Sequence, residues 1–274
     1  MKKTLVIFII LISCACQEKP SFTDETTSSS FIDQQWAMHP IWEDGQAEVA
    51  IYEAEMKIYG QARKFDNPII TVKEEFNEAF NVKTDDYQRK DLFSVMKVNR
   101  FADIETPNYP YHYLTSLFFK RNRPEQLHKM THSGQEWCGN TFKQLELSPS
   151  GYQYDYNSYF DGYGDGQMEI KGNEMWWEDQ LPYVLRALKF KDDLQFKKML
   201  MNSQINTKTY PPQAQKASFT VTDLGDLWQV EVQLEQGQNR YLFDKDYPHI
   251  MVQQMTWYGY HMKLKKVSRY KYWR

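Results

Sequence analysis

Glu48–Tyr59 reads EVAIYEAEMKIY. Ala50, Tyr52, Ala54, Met56 and Ile58 fall on one face at period two, while Glu53, Glu55 and Lys57 fall on the other. Successive side chains of a strand point to opposite faces, so this alternation describes a strand with one wet face. The rival reading is a helix, which would set Glu53 and Lys57 together as an i, i+4 ion pair. The length of the alternation favours the strand. Asp44-Gly45, just before it, is a turn signal.

Similar runs lie on both sides. Ala62–Phe76 contains Ile69-Ile-Thr-Val72, a hairpin partner. Phe93–Ile104, Tyr109–Lys120 (YPYHYLTSLFFK), Leu127–Trp137, Phe142–Leu147 and Gly151–Phe160 follow, dense in residues that favour strands. Pro124, Ser148–Gly151 and Asp161–Gly166 (DGYGDG) punctuate them. Later candidates are Phe196–Ile205, Ala217–Thr222, Trp228–Glu235, Arg240–Phe243, Ile250–Tyr258 and Met262–Trp273. Between the two sets, Glu174–Leu188 places Trp176, Trp177, Leu181, Val184, Leu185 and Leu188 at helical spacing, with Pro182 at a start or kink. Trp36–Trp42 (WAMHPIW) reads as an irregular docking segment. About a dozen strands, one short helix and no βαβ rhythm predict a mainly β fold: an antiparallel barrel, half-barrel or curved sandwich.

The first residues carry a different signal. Lys2 and Lys3 precede the apolar run Leu5–Ile12, which is far shorter than the roughly 20 residues of a membrane span. Leu11-Ile-Ser-Cys14 resembles a bacterial lipobox, in which the cysteine is acylated and becomes the first mature residue. Cys16 is the rival attachment point, but Ser13 stands where it would need an aliphatic residue. The expected organisation is a signal peptide over 1–13, a lipidated Cys14 with a polar tether over 14–35, and one β-rich domain over 36–274. Acyl chains on Cys14 would hold the protein at a bacterial membrane, the outer membrane by expectation, on its periplasmic or surface-exposed side. Cys16 and Cys138 then remain as the two cysteines that an oxidising compartment would allow to pair.

Hydrophobic content is an ordinary 41%, and 12 Gly and 11 Pro in 274 residues argue against a disordered or collagen-like chain. A formal charge of −3, more acidic once Lys2 and Lys3 are removed, argues against a nucleic-acid partner.

Chemistry-bearing residues concentrate in His132–Leu147, HSGQEWCGNTFKQLEL. His132, Glu136 and Cys138 are the residue types of a thiol nucleophile with its base and orienting group. On an extended strand, however, His132 and Cys138 would lie about 20 Å apart. They meet only if Gly134 bends the chain; otherwise His112 is the available base. The simpler reading buries Trp137 and Cys138 in the core, with Gly139 permitting a bulge. Tyr152, Tyr154 and Tyr156 line one strand face, as core packing or as a stacking platform for a ligand such as a sugar. His128 and His132 sit about 13 Å apart, too far to share an ion. DGYGDG lacks the oxygen ligands of a calcium loop and reads as a hairpin turn. The cations Lys263, Lys265, Lys266, Arg269, Lys271 and Arg274 read as a solvated strand face. No cofactor motif is present, and no carboxylate pair stands out.

Several motifs together carry a resemblance. They are Gln135-Glu-Trp-Cys-Gly139 with Thr141-Phe-Lys-Gln-Leu145, Tyr159-Phe160, Glu178-Asp179 before Leu181-Pro182, Trp42-Glu-Asp-Gly-Gln-Ala-Glu48, and Tyr272-Trp273. The chain resembles an uncharacterised family of Bacteroidota cell-envelope lipoproteins. Some members are labelled septum-formation inhibitors, a name belonging to α/β nucleotide pyrophosphatases with an N-terminal phosphate loop that has no counterpart here. The resemblance implies lipidation and a β fold, and no catalytic residue. Three functions stay open: a non-enzymatic binding or maintenance role with a hydrophobic or glycan ligand or an envelope protein as partner; a hydrolase or transferase using Cys138 or a carboxylate pair; and a structural subunit of a surface complex.

Overall fold

A computed structural model describes residues 31–161 and 164–274. The expected signal peptide, Cys14, Cys16 and most of the tether lie outside these residues. The fold is mainly β, with one short helix and a 16-stranded open sheet that does not close into a barrel.

The strands are β1 (Ala47–Ile58), β2 (Gln61–Asn77), β3 (Val82–Lys83), β4 (Leu92–Ile104), β5 (Tyr111–Lys120), β6 (Leu127–Glu136), β7 (Gly139–Ser148), β8 (Gly151–Ser158) and β9 (Gly166–Lys171). After them come β10 (Trp176–Trp177), β11 (Gln195–Met201), β12 (Ala214–Asp223), β13 (Leu227–Gln233), β14 (Gln238–Asp244), β15 (Met251–Met255) and β16 (His261–Tyr270). The sheet order is β10-β11-β12-β13-β14-β15-β16-β1-β2-β4-β5-β6-β7-β8-β9, with β3 beside β2. Two meanders are therefore joined where the last strand pairs with the first, Ala47 opposite Tyr270. Neighbours along the path are antiparallel except β10 with β11. The alternation in Glu48–Tyr59 is the strand it predicted. The sequence reading missed β3, β9 and β10; β3 and β10 are two residues each, too short for a period to show.

The sheet curls around a buried core segment. Every residue from Trp176 to Leu188 is buried. Trp177 meets Tyr152 of β8, and Tyr183 stacks on Phe119 of β5 at 4.2 Å. Glu178 bonds Asn239 of β14, and Arg186 bonds Glu48 of β1. Contacts to strands from both meanders are what a wrapped sheet requires. The helix expected over Glu174–Leu188 is shorter than its pattern: Trp176 and Trp177 lie in β10, then 3-10 turns flank helix α1 (Leu181–Val184). Pro182 sits in the first turn of α1, where its missing N–H costs nothing.

Trp36–Glu43 forms two short 3-10 turns that bury Trp36 and Trp42 against this segment's far end. Packing reaches further toward the N-terminus than residue 36. Phe31 and Ile32 are buried, and Ile32 bridges to Leu188. Among the described residues, no helix is long and apolar enough to cross a membrane.

Candidate functional site

On β4 the inward positions are Met96, Val98, Arg100, Ala102 and Ile104. Four are apolar; Arg100 is a charge placed where the alternation calls for core. It is not alone. Arg100 stands opposite Thr115 of β5, Thr115 opposite His132 of β6, His132 opposite Lys143 of β7, and Lys143 opposite Tyr156 of β8. One rung further in, the row is apolar: Val98, Leu117, Met130, Leu145, Tyr154. The curled sheet thus has a polar layer near one end of its core. That end is where β1 turns into β2, β6 into β7 and β15 into β16.

The core segment adds acids to this layer. Glu178 and Asp179 open the 3-10 turn after β10 and are buried. Asp179 accepts from Ser203 Oγ at 2.5 Å and from the Gln204 N–H at 2.7 Å. Glu178 accepts from the Ser203 N–H at 3.1 Å and from Asn239 at 3.2 Å. Lys143 donates to the Gln204 carbonyl at 2.8 Å and to Asn206 at 3.2 Å. The loop after β11 is therefore held by the two carboxylates and the lysine together. Burial raises both carboxyl pKa values, with repulsion from Asp179 adding to the rise at Glu178. Burial also lowers Lys143 to about 8, opposed by the attraction of Asp179.

Beside these groups lies a cavity of about 140 Å³. Lys57, Arg100, Glu178, Asp179, Ser203 and Gln254 supply its polar wall. Met56, Phe65, Ile205, Tyr258 and Tyr260 supply the apolar one. Arg100 is 8% exposed and Gln254 4%. The Arg100 Nε and the Gln254 Oε1 are buried without a protein hydrogen-bond partner. An unpaired buried polar atom costs about 1–3 kcal/mol, and two of the residues that line the cavity each carry one.

The candidates read from sequence fall elsewhere. Trp137 and Cys138 are not in the core. They form the tip of the β6–β7 hairpin, with Trp137 78% exposed and Cys138 an exposed free thiol. The pair Glu136 and Gly139 closes the turn too tightly to tuck either side chain inward. Cys138 contacts the Tyr109 hydroxyl at 3.4 Å. Gly134 stays in the ladder opposite Tyr113 and Thr141, so no bend carries His132 to Cys138. His132 is wholly buried and bonds Thr115 at 2.9 Å. Burial lowers its pKa to about 3, with repulsion from Lys143 as the next cause. His112 bonds Asp103 and lies opposite Gln135. Glu136 is half-buried beside the tyrosines of β5. Tyr152 and Tyr154 are core, bonding the Leu127 carbonyl and Gln204; Tyr156 is half-buried beside Tyr154. Of the expected residues, only His132, Tyr154 and Tyr156 belong to the polar layer or its neighbour. Among the described residues, no group of three or more metal-binding side chains is close enough to hold an ion.

No family model matches the chain, and no curated protein matches it. Among solved structures it is similar to a DUF1089 family protein from Pseudomonas aeruginosa, at 14% identity and a TM-score of 0.39, covering 66% of this chain and 87% of that one.

Proposed function

We propose that the protein is a non-enzymatic binding domain, tethered to a bacterial membrane through acyl chains on Cys14, whose ligand enters the cavity beside Arg100. The carrying observation is a cavity whose lining includes two buried polar side chains, Arg100 and Gln254, on the inner face of a curled sheet. A binding role fits the chemistry better than hydrolysis. Glu178 and Asp179 share the cavity, but each already accepts a loop backbone N–H, which ties it to holding the loop. Cys138 has a tyrosine hydroxyl rather than an imidazole as its hydrogen-bond partner. The lipobox supports the anchor.

Two measurements test this. Metabolic labelling with palmitate should mark the wild type and not Cys14→Ser; equal labelling and equal membrane retention of both would sink the anchor. For the cavity, the thermal midpoint should be followed against ring-sized solutes that are neutral, anionic and cationic. At least one should raise the midpoint of the wild type and not of Ala102→Leu, which narrows the cavity. If no class shifts the wild type, the binding reading fails.

A further inference from the structure

β11 is an edge strand for most of its length. β10 covers it only at Leu200 and Met201, and among the described residues no other strand pairs with that side. The ladder with β12 fixes which backbone groups are left over. The Val221 N–H donates to the Leu194 carbonyl at one end, and the Asn202 N–H donates to the Gln213 carbonyl at the other. Bonding positions alternate along an antiparallel ladder, so Phe196, Lys198 and Leu200 bond β12 as well. Gln195, Lys197 and Met199 therefore turn their N–H and C=O groups to the open side. All three residues are exposed, and among the described residues no backbone group bonds them from that side.

A groove of about 610 Å³ lies along this edge. It shares no residue with the cavity beside Arg100. Among the described residues, three lysines and no carboxylate line it. Lys198 lies over the rings of Phe31 and Trp176, within reach of the charges of Glu174 and Glu125. Lys197 and Lys216 are different. Both are exposed on the outer face, Lys197 opposite Ser218 and Lys216 opposite Met199. They are diagonal neighbours, their backbones about 7–8 Å apart. Neither forms an ion pair among the described residues. Glu231, on the same face opposite Thr220, already bonds Arg240.

Edge and charge together select the occupant. An open row of N–H and C=O groups is completed by an extended chain. A second copy of β11 would bring Lys197 against its own copy, and like charges facing each other across a ladder are destabilising. A segment with carboxylates at alternate positions would present them on one face, next to Lys197 and Lys216.

We propose that the bare edge of β11 takes an extended acidic segment of a partner protein as an added strand, its alternate carboxylates beside Lys197 and Lys216.

Fluorescence anisotropy on the full chain in a nonionic detergent at low ionic strength tests this. The labelled probes are the peptides TEVEIEVET, TQVQIQVQT and TKVKIKVKT, with TEPEIEPET as an acidic chain whose prolines keep it out of a ladder. TEVEIEVET should bind tightest and TQVQIQVQT more weakly, and the other two should not bind. Lys197→Gln and Lys216→Gln should each weaken TEVEIEVET by about two- to fivefold. Lys197→Glu with Lys216→Glu should reverse the order of the acidic and basic peptides. Met199→Pro deletes an N–H that points away from β12, so it should weaken every peptide by about tenfold or more. If Met199→Pro does not fold, the proline peptide carries the backbone test. Bound TEVEIEVET should also slow hydrogen exchange over residues 195–199. Binding of no peptide, equal binding of TEVEIEVET and TKVKIKVKT, or binding without slower exchange over 195–199 overturns the proposal. A dimer in sedimentation equilibrium that TEVEIEVET dissociates gives the edge to a second copy. Slow exchange over 195–199 in the free chain, released by Glu18→Gln with Asp24→Asn and Glu25→Gln, gives it to the chain's own N-terminal residues. Either result overturns the partner assigned here.

Discussion

The guanidinium of Arg186 forks onto the carboxylate of Glu48 with two hydrogen bonds of 2.8 Å. Both side chains are about as buried as the tryptophans that surround them. Arg186 lies over the rings of Trp36 and Trp42, and its Nε donates to the Pro248 carbonyl at 3.0 Å. One ion pair thus ties the core segment to β1, the N-terminal turns and the β14–β15 loop. Glu48→Gln leaves the arginine charged and underpaired, which costs about 3–5 kcal/mol. The double change Glu48→Leu with Arg186→Met should recover most of that loss. Urea unfolding of the three proteins decides it. A Glu48→Gln cost under about 1 kcal/mol would mean the pair is not the clamp described here.

At the opposite end of the core, Lys143 should make stability rise with pH. Its folded pKa is lowered to about 8, below the unfolded value near 10.4. Between those values the unfolded chain holds the proton that the folded chain has released. Stability then increases with pH, by at most about 1.4 kcal/mol per unit. Buried Tyr52, Tyr152 and Tyr154, all raised by desolvation, reverse the trend once unfolded tyrosines ionise near pH 10. Unfolding free energy across pH 7–11 should therefore peak between those limits. Lys143→Met should remove the rising limb while keeping the fall; a rise that survives the substitution assigns it to another group.

Histidines act on the acid side in the same sense as Lys143. His132 and His128 have folded pKa values of about 3 and about 4, lowered chiefly by burial. Their contribution is complete above the unfolded value near 6.5 and is lost as pH falls below it, because only the unfolded rings take up protons. Glu178 and Asp179 work against this loss, since their raised pKa values let the fold keep protons that the unfolded chain releases. His132→Gln should flatten the decline between pH 6.5 and 4 by up to about 1.4 kcal/mol per unit. An unchanged slope would show that His132 is protonated in the folded protein.

Much of the fold was legible because alternation is a local signal. Ala50, Tyr52 and Ala54 announce one face of β1 without help from any other strand. The polar layer was hidden for the converse reason. Arg100, His132 and Lys143 lie on three strands and become a row only through register, which depends on turn lengths and bulges. A trace was present: Arg100 interrupts the inward series Val98, Ala102, Ile104, and Lys143 interrupts Thr141, Leu145. Glu178 and Asp179 were masked by their neighbours, since a segment rich in Trp and Leu reads as a helix with a wet face until the sheet is seen to surround it. Trp137 and Cys138 misled through composition. Both residue types are usually buried, yet a two-residue hairpin tip leaves their side chains no interior to enter.

Two glycines offer a graded test of the turns. A Cβ on Gly151 would sit 1.9 Å from the Ile170 carbonyl oxygen, a backbone atom that cannot swing aside. A Cβ on Gly60 would meet nothing within 4 Å, so only its backbone angle of +74° resists a side chain. Gly60→Ala should cost about 1–2 kcal/mol, the ordinary left-handed penalty. Gly151→Ala carries the collision as well and should lose more, by about a further 1–3 kcal/mol. Equal midpoints for the two variants in thermal unfolding would contradict the tight contact between the β7–β8 turn and β9.

The hairpin tip gives the sharpest contrast between composition and position. A core cysteine would react with a thiol reagent only on unfolding, and its loss would open a cavity. Cys138 at the tip should titrate with Ellman's reagent in the folded protein at the rate of an exposed thiol. Cys138→Ser should change stability by no more than about 0.5 kcal/mol, as for surface sites. Tyr109→Phe, which removes the hydroxyl 3.4 Å from the sulfur, should leave the labelling complete. A Cys138 that reacts only in denaturant would return it to the interior and contradict its place at the tip of the β6–β7 hairpin.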